Sequence, residues 1–209
     1  MKLFLTSMAI SPEQAPTFTK LVGKEPSDIQ LALIENASDV YDQNSKEWAN
    51  RNRDAIEACG YQVEVVDLRT FRGKREELRQ KLASKDAMWL GGGNTYYLRW
   101  ILQDTGADDI IKELVESGIV YGGGSAGAIV AGPTLQHFED ADDPNESPEV
   151  ILEGLGLTNI VVVPHVGNEK YGEIMEQAID RLHKDGYDTI AITDEQGVAF
   201  DMNERKIVP

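Results

Sequence analysis

The chain has 209 residues, of which 20 are Lys or Arg and 36 are Asp or Glu, and its formal net charge is −16. This length is enough for a globular core, and the negative charge repels phosphate backbones, so we expect no nucleic-acid partner. The single cysteine, Cys59, cannot form an intramolecular disulfide, which fits a reducing cytoplasm. The first residues do not match a signal peptide, and the longest apolar stretches are too short for a membrane span. We therefore expect a cytoplasmic protein without a membrane partner.

Short apolar β-rich segments alternate with segments of helical periodicity along the whole chain. This alternation predicts a single α/β domain, residues 1–209, built on a parallel sheet with crossover helices. The predicted strands are residues 2–7, 29–35, 61–67, 87–90, 119–122, 160–163, 189–193 and 198–201. The predicted helices are residues 45–58, 74–83, 95–103, 108–117 and 171–184. Residues 203–209 are predicted to form an edge hairpin or a frayed end.

One long segment, residues 136–149, has no clear periodicity, is acidic and contains two prolines. This composition is typical of an exposed loop. Long loops in compact domains are commonly either solvated insertions or flaps over an active site, and the sequence leaves both interpretations open.

Residues 123–127, Gly-Gly-Ser-Ala-Gly, match the pattern G-x-S-x-G between an apolar strand and a helix of small residues. A nucleophile on such a turn needs small neighbours, and the amides at the start of the helix point at a developing oxyanion. The motif predicts that Ser125 is a nucleophile. The alternative is that Ser125 only caps the helix.

A second glycine run, Gly91 to Gly93, follows the predicted strand 87–90 and opens the next helix. Both glycine loops then lie at the carboxyl ends of parallel strands, where ligands bind. The run lacks the Walker lysine and the full dinucleotide spacing, which disfavours a phosphate site. Together with Ser125 it predicts an oxyanion hole made by the amides of Gly92 or Gly93 and of Ala126.

A serine nucleophile needs a base, and the chain has three histidines. His183 ends a predicted helix, where a positive imidazole favours the helix dipole, and His137 would reach the site only if its loop folded back. His165 follows the buried strand 160–163, so we predict that it is the base.

The acid that orients this base is not determined by the sequence. Glu195 follows the predicted strand 189–193, at a strand's carboxyl end. Asp140 would give the chain order Ser, Asp, His that is common in hydrolases with a nucleophile elbow. Both remain candidates.

Four motifs, WLGGGNTYYLRW, YGGGSAGAIVAGPT, VVVPHVGN and ITDEQG, occur in this order over nearly the whole chain. The combination resembles the peptidase E family of serine peptidases. The resemblance implies a three-layer α/β sandwich like the class I glutamine amidotransferases, with a mostly parallel central sheet and helices on both faces. It also implies a cytoplasmic hydrolase that cleaves short peptides beginning with aspartate. Matched position by position, Ser125 is the nucleophile, His165 the base, and Glu195 or Asp140 the third member.

The sequence departs from the family at the substrate pocket. The family has an arginine after the catalytic histidine that meets the substrate's carboxylate, and Met175 stands at that position here. We therefore predict weak or no preference for dipeptides that begin with aspartate, with Asn94, Lys170 and Met175 as substrate-binding residues. The alternatives are a cyanophycinase-like peptidase, an esterase, or a non-catalytic module that binds a small ligand. Nothing in the sequence indicates a cofactor or a metal, and we expect a monomer or homodimer acting on short peptides.

Overall fold

The computed structural model describes residues 1–42, 47–201 and 204–209. The strands are β1 (Lys2–Thr6), β2 (Gln30–Ile34), β3 (Gln62–Val65), β4 (Ala87–Leu90), β5 (Val120–Gly124), β6 (Ile160–Val163), β7 (Asp188–Ala191), β8 (Gly197–Asp201) and β9 (Glu204–Val208). The helices are α1 (Ala15–Val22), α2 (Glu47–Ala58), α3 (Arg75–Ala83), α4 (Thr95–Thr105), α5 (Ala107–Glu116), α6 (Ala126–Ile129) and α7 (Gly172–Lys184). Two parts of the sequence predictions lie outside the described residues. These are residues 45–46 of the predicted helix 45–58 and residue 203 of the predicted terminal hairpin.

The central sheet has seven strands in the order β3-β2-β4-β5-β1-β8-β9. The first five strands pair in parallel, whereas β8 pairs antiparallel with β1 and β9 antiparallel with β8. The sheet is therefore mostly parallel, as predicted. For the last residues of the chain the sequence left open an edge hairpin or a frayed end, and β9 forms the edge hairpin with β8.

Side chains alternate between two cores, one on each face of the sheet. Leu31, Leu33 and Trp89 pack with residues of α1 and α2 on one face. Ala32 and Leu90 point to the other face, where α3, α4, α5, α6 and α7 contribute to the larger core. Because strands covered on both faces must be apolar throughout, these segments lack polar alternation. The molecule is thus a three-layer α/β sandwich.

Two parts of the fold differ from the sequence prediction. Strands β6 and β7 form their own two-stranded parallel sheet instead of joining the central one. The physical reason is that the β8–β9 hairpin occupies the edge next to β1, and β6 packs against α6 on one face of the sheet.

Helix α1 was not predicted, although Pro16 lies in its first turn and Gly23, at φ 81°, ends it. Proline at a helix start and glycine after its end are the signals that identify such a short helix. Within the described ranges, none of the helices combines the length and the apolar character needed to span a bilayer.

Candidate active site

Ser125 lies on the turn between β5 and α6 with φ 51° and ψ −112°. A non-glycine residue with positive φ is strained, and such strain is concentrated at functional sites. The turn is held because the Ser125 amide donates to the carbonyl of Thr6 at 3.0 Å, and because α6 approaches β4 very closely. A Cβ atom at Gly127 would collide with the carbonyl oxygen of Leu90, so only glycine fits there.

His165 follows β6 and also has a positive φ, 61°. Its Nε2 atom lies 2.9 Å from Ser125 Oγ, and its Nδ1 atom lies 2.6 Å from Oδ1 of Asp194. The structure therefore places a hydroxyl, an imidazole and a carboxylate in one hydrogen-bonded chain.

Two further side chains hold Asp194 in place. The Ser7 hydroxyl at the end of β1 donates to Asp194 Oδ1 at 2.7 Å and accepts from the His165 backbone amide at 2.9 Å. The Asn168 amide donates to Asp194 Oδ2 at 2.6 Å. Burial opposes ionisation of Asp194, but the hydrogen bonds from Ser7, Asn168 and His165 outweigh it and hold its pKa below the ordinary value. The carboxylate is therefore ionised where the imidazole needs a partner.

Neither acid predicted from the sequence contacts the histidine. Glu195 is exposed to solvent. Its backbone carbonyl accepts a hydrogen bond from Gln14 Nε2. Asp140 pairs with Arg181 at 3.0 Å on the surface. Asp194 is the acid that contacts His165, in place of the two predicted candidates. The turn after β7 directs the Asp194 side chain toward His165 and leaves the Glu195 side chain in solvent.

The other two histidines lie away from Ser125. His137 Nε2 pairs with Asp185 at 2.7 Å, at the carboxyl end of α7. His183 hydrogen-bonds Thr189 at 2.8 Å.

The two glycine loops meet beside Ser125. A Cβ atom built on Gly92 would lie 3.2 Å from Ser125 Cβ, and a Cβ atom on Gly93, at φ 139°, would collide with the backbone of Ala37. Within the described residues, the amides of Gly92 and Gly93 donate no hydrogen bond to a protein group. The amide of Ala126 is at the first position of α6, where an amide has no acceptor within the helix. These free donors lie at the place where the sequence predicts the oxyanion hole.

Asn94 does not have the predicted substrate-binding position. Its side chain accepts from the Tyr97 amide at 2.9 Å and donates to the Asp143 carbonyl at 2.8 Å, and the residue is buried. Asn94 therefore caps α4 and ties it to the long loop, since an asparagine before a helix satisfies one of its unpaired amides.

Ser125 and His165 open on a cavity of about 470 Å³. Much of the cavity wall is apolar and is formed by side chains of several elements, including α2, β4 and α7. Met175 is the α7 residue of this wall. The other apolar lining residues include Leu33, Trp48, Ile56, Trp89 and Ile129. Four charged side chains also line the cavity: Glu35, Arg53, Asp142 and Lys170. Arg53 donates to the Glu35 carboxylate, and Lys170 is exposed to solvent. Arg99 is buried elsewhere, paired with Asp108 at 3.1 Å.

The 136–149 segment forms part of the cavity wall. Phe138 is fully buried, and Asp142 binds the amide and hydroxyl of Thr95 at the start of α4. The sequence left open a solvated insertion or a flap over the active site. Because Ala141 and Asp142 line the cavity, the segment is closer to the second interpretation. Among the described residues, no group of three or more His, Cys, Asp or Glu side chains could hold a metal ion.

Sequence reasoning missed Asp194, Ser7, Asn168 and Asp142. Asp194 had a signal, because the ITDEQG motif contains two adjacent acids, but nothing in the motif distinguishes them. Ser7 carries the further signal of a small polar residue at the carboxyl end of a parallel strand.

A strained serine hydrogen-bonded to a histidine that is oriented by a carboxylate, on a three-layer α/β scaffold, is the arrangement of serine hydrolases. The profile of peptidase family S51 matches residues 3–208, and the chain belongs to this family. The expected relation to peptidase E and the expected fold are thereby confirmed.

Three similarities place the chain within the family. An uncharacterised peptidase of Listeria monocytogenes is 29% identical over 181 residues, which cover 85% of this chain and 83% of the relative. A probable alpha-aspartyl dipeptidase of Drosophila melanogaster is 31% identical, over 62% of this chain and 53% of the relative. A crystal structure of a Listeria monocytogenes protein assigned to peptidase E superposes with a TM-score of 0.85 and 26% identity, covering 99% of this chain and 96% of that one.

Proposed function

We propose that the protein is a serine-type exopeptidase that hydrolyses short peptides, with Ser125 as nucleophile, His165 as base and Asp194 as the residue that orients the base. The observation that carries this proposal is the hydrogen-bonded chain from Ser125 Oγ through His165 to Asp194, at 2.9 Å and 2.6 Å. Membership of a peptidase family supports the reaction type.

In the first half of the reaction, Ser125 Oγ attacks the scissile carbonyl carbon while His165 Nε2 takes the hydroxyl proton. The carbonyl oxygen becomes an oxyanion, and the free amides of Gly92 or Gly93 and of Ala126 stabilise it. His165 then donates the proton to the leaving amine, the C–N bond breaks, and an acyl-enzyme remains on Ser125.

In the second half, water attacks the acyl-enzyme, and His165 takes a proton from that water. The ester bond to Ser125 breaks, Oγ recovers its proton from His165, and the carboxylic acid product leaves. Asp194 keeps Nδ1 protonated and stabilises the imidazolium in both halves, which is why a depressed carboxyl pKa serves this role.

The cavity supports small substrates. Its volume of about 470 Å³ is within the range of sites for ligands of drug size, and a dipeptide is in that class. At the position where the family resemblance implies an arginine, this chain has the buried, uncharged Met175 in the cavity wall. This difference supports cleavage of neutral dipeptides at least as well as of Asp-X dipeptides. We place the reaction in the cytoplasm, with the chain acting as a monomer or homodimer.

Labelling with a fluorophosphonate tests the nucleophile. The wild type should be labelled and Ser125→Ala should not, and turnover of a dipeptide panel should fall at least about a thousandfold in Ser125→Ala, as expected for loss of a covalent step. Ser147→Ala is the matched control, because Ser147 is a buried serine that does not line the cavity. Wild-type turnover in purified Ser125→Ala would overturn the proposal.

The same experiment separates the alternative functions. A labelled protein that cleaves esters but no peptide of the panel would be an esterase. A protein that is neither labelled nor active would be the small-ligand-binding module. Ser125 would not act there as a helix cap, because its side chain makes no capping hydrogen bond to the amides of α6.

A further inference from the structure

The cavity of Ser125 and His165 has two apolar compartments, one on each face of the central sheet. Ile129 of α6 and Met175 of α7 line the first compartment and belong to the larger core. The second compartment lies under α2, and its apolar lining includes Leu33, Ile56 and Trp89 of the core on the opposite face, together with Trp48. A dipeptide has one side chain on each side of its scissile bond, so two compartments fit its two side chains.

Arg53 reaches the second compartment from α2 and leaves one of its nitrogens unused. Its Nε donates to Glu35 Oε1 at 3.2 Å, and its Nη2 donates to the other oxygen of the same carboxylate. In the described parts of the chain, no hydrogen bond or ion pair reaches Nη1. Every buried side-chain nitrogen that the structure describes has a partner, so Nη1 is accessible, and the space that Arg53 lines is the cavity.

The Glu35–Arg53 pair lies beside the glycine loop that adjoins the reacting serine. Glu35 directly follows β2, and a Cβ atom on Gly91 would lie 3.9 Å from its Cα atom. The next residue, Gly92, is the one whose Cβ atom would lie 3.2 Å from Ser125 Cβ. A guanidinium that Glu35 fixes at this place before the substrate arrives loses little side-chain entropy when it binds a ligand.

A free guanidinium N–H determines which part of a dipeptide it can bind. The guanidinium group is suited to carboxylates, and an unblocked dipeptide with uncharged side chains carries one carboxylate, on the residue that leaves as the amine. The Lys170 ammonium also lines the cavity, but it is exposed to solvent and lies 2.7 Å from the Tyr171 hydroxyl. Because Arg53 and part of the apolar lining belong to α2, one residue of the substrate can contact both.

We propose that the compartment under α2 is the subsite of the leaving residue, where Arg53 Nη1 donates to its carboxylate and the apolar lining covers its side chain. This rests on the proposed function of Ser125 and specifies the substrate class as unblocked dipeptides with a large apolar second residue. Because the Glu35–Arg53 pair has no net charge, the preference comes from charge-assisted hydrogen bonds. A longer peptide would present a neutral carbonyl there, which is a weaker acceptor.

The first test compares Ala-Leu with Ala-Leu amide, which differ in the carboxylate alone. Wild type should favour Ala-Leu in kcat/KM by at least about tenfold, within the range of hydrogen bonds to charged groups. Arg53→Gln should lose that preference, with kcat/KM for Ala-Leu falling about tenfold and that for the amide changing by less than about threefold. If Lys170→Gln loses the preference and Arg53→Gln keeps it, the carboxylate binds at Lys170 and the proposal is wrong.

Arg51→Gln is the matched control, because it removes the same charge from an exposed position of α2 that does not line the cavity. It should keep the full preference. Thermal unfolding and the rate of fluorophosphonate labelling report whether Arg53→Gln keeps its fold and a reactive Ser125. An equal loss for both substrates would mean that Arg53 only holds Glu35 and α2 in place, and would overturn the proposal.

The second test fills the apolar compartment. Wild type should favour Ala-Leu over Ala-Gly in kcat/KM by at least about tenfold, since burial of several methylene groups distinguishes the two. Ala49 is a half-buried residue of α2 that lines the cavity, and Ala49→Phe should bring this ratio close to one. Ala58→Phe adds the same group at an exposed position of α2 outside the cavity and should leave the ratio unchanged. A wild-type ratio close to one would overturn the proposal.

Calorimetric binding to Ser125→Ala separates failure of this proposal from failure of the proposed function. Ser125→Ala should bind Ala-Leu more tightly than its amide, and the double variant with Arg53→Gln should bind both alike. If that difference is found in a protein whose wild type hydrolyses neither, the carboxylate subsite stands and the peptidase function falls. If the wild type hydrolyses both alike and the difference is absent, the peptidase function stands and the subsite falls.

Discussion

Asp194 and Glu195 are adjacent residues with the same charge, yet their side chains lie in different environments. Asp194 accepts from three groups, including His165 Nδ1 at 2.6 Å, whereas the Glu195 side chain is exposed to solvent. A fixed and partly buried carboxylate can determine the tautomer of an imidazole, but a solvated one is screened and mobile.

The first prediction is therefore that the two acids differ sharply in their effect on turnover. Asp194→Asn should lower kcat/KM by about 10³ to 10⁴, as expected when the base loses its correct tautomer. Glu195→Gln removes the same charge one residue later and should stay within about twofold of wild type. Steady-state kinetics on one dipeptide measures both, and the opposite ranking would make Glu195 the orienting residue.

Met175 determines the second prediction at this scale, because it is buried, apolar and part of the cavity wall. Wild type should show no strong preference for Asp-Leu over Ala-Leu. Met175→Arg should raise the ratio of their kcat/KM values by up to about a hundredfold, the range of a bidentate Arg–carboxylate pair. Gln177→Arg adds the same charge at an exposed position of α7 and should leave the ratio unchanged. A wild-type ratio above about a hundred would mean that another group, such as Lys170, binds the aspartate.

At the scale of elements, local sequence determined most strands and helices but not their assembly. Strands β4 and β6 have the predicted bounds because short apolar runs flanked by polar residues are strong local signals. The separate β6–β7 sheet could not be predicted, since it depends on which strand occupies the edge beside β1.

The site was predictable to the same extent. Ser125 lies in a local motif and His165 directly follows a strand, so the sequence alone marks both as candidates, and the structure brings their side chains within 2.9 Å of each other. Asp194 and Ser7 come from distant parts of the chain and meet only through the hydrogen bond at 2.7 Å between them. Such long-range side-chain contacts depend on tertiary packing and leave no spacing signal in one sequence.

The third prediction concerns the edge strand β3, which is joined to the helical layer by Glu64. Hydrogen bonds from Lys81 and Lys85 lower the pKa of Glu64 to about 2. A carboxyl whose pKa is lower in the folded state stabilises the fold above its unfolded pKa, and this contribution is lost as pH falls through the folded value. The stability that Glu64 contributes should therefore be full at neutral pH and lost between about pH 4.5 and pH 2.

Thermal unfolding of Glu64→Gln against wild type, from neutral to acid pH, measures this contribution. The variant should unfold at lower temperature near pH 7, and the difference should disappear near pH 2. Glu116→Gln, at an exposed position that ends α5, should show a much smaller difference throughout. A difference for Glu64→Gln that is constant with pH would show that the ion pairs do not contribute.

The whole molecule carries a net charge of −16, so repulsion between its carboxylates acts against the compact state. Added salt reduces the screening length from about 30 Å at 0.01 M to about 8 Å at 0.15 M. Screening weakens the long-range repulsion more than it weakens close, buried pairs such as Arg99–Asp108, whose side chains are 6% and 12% exposed.

The last prediction is that the unfolding temperature rises with salt. Between about 0.01 M and about 0.15 M chloride the long-range part of the repulsion should be largely screened, because exposed charges that lie further apart than one screening length interact little. Scanning calorimetry in sodium chloride measures the shift, and choline chloride is the control that separates screening from specific binding of sodium. Chloride is preferable to sulfate, which also strengthens apolar burial and would raise the unfolding temperature by a different route. An unfolding temperature that falls with both salts would mean that the surface ion pairs outweigh the net repulsion.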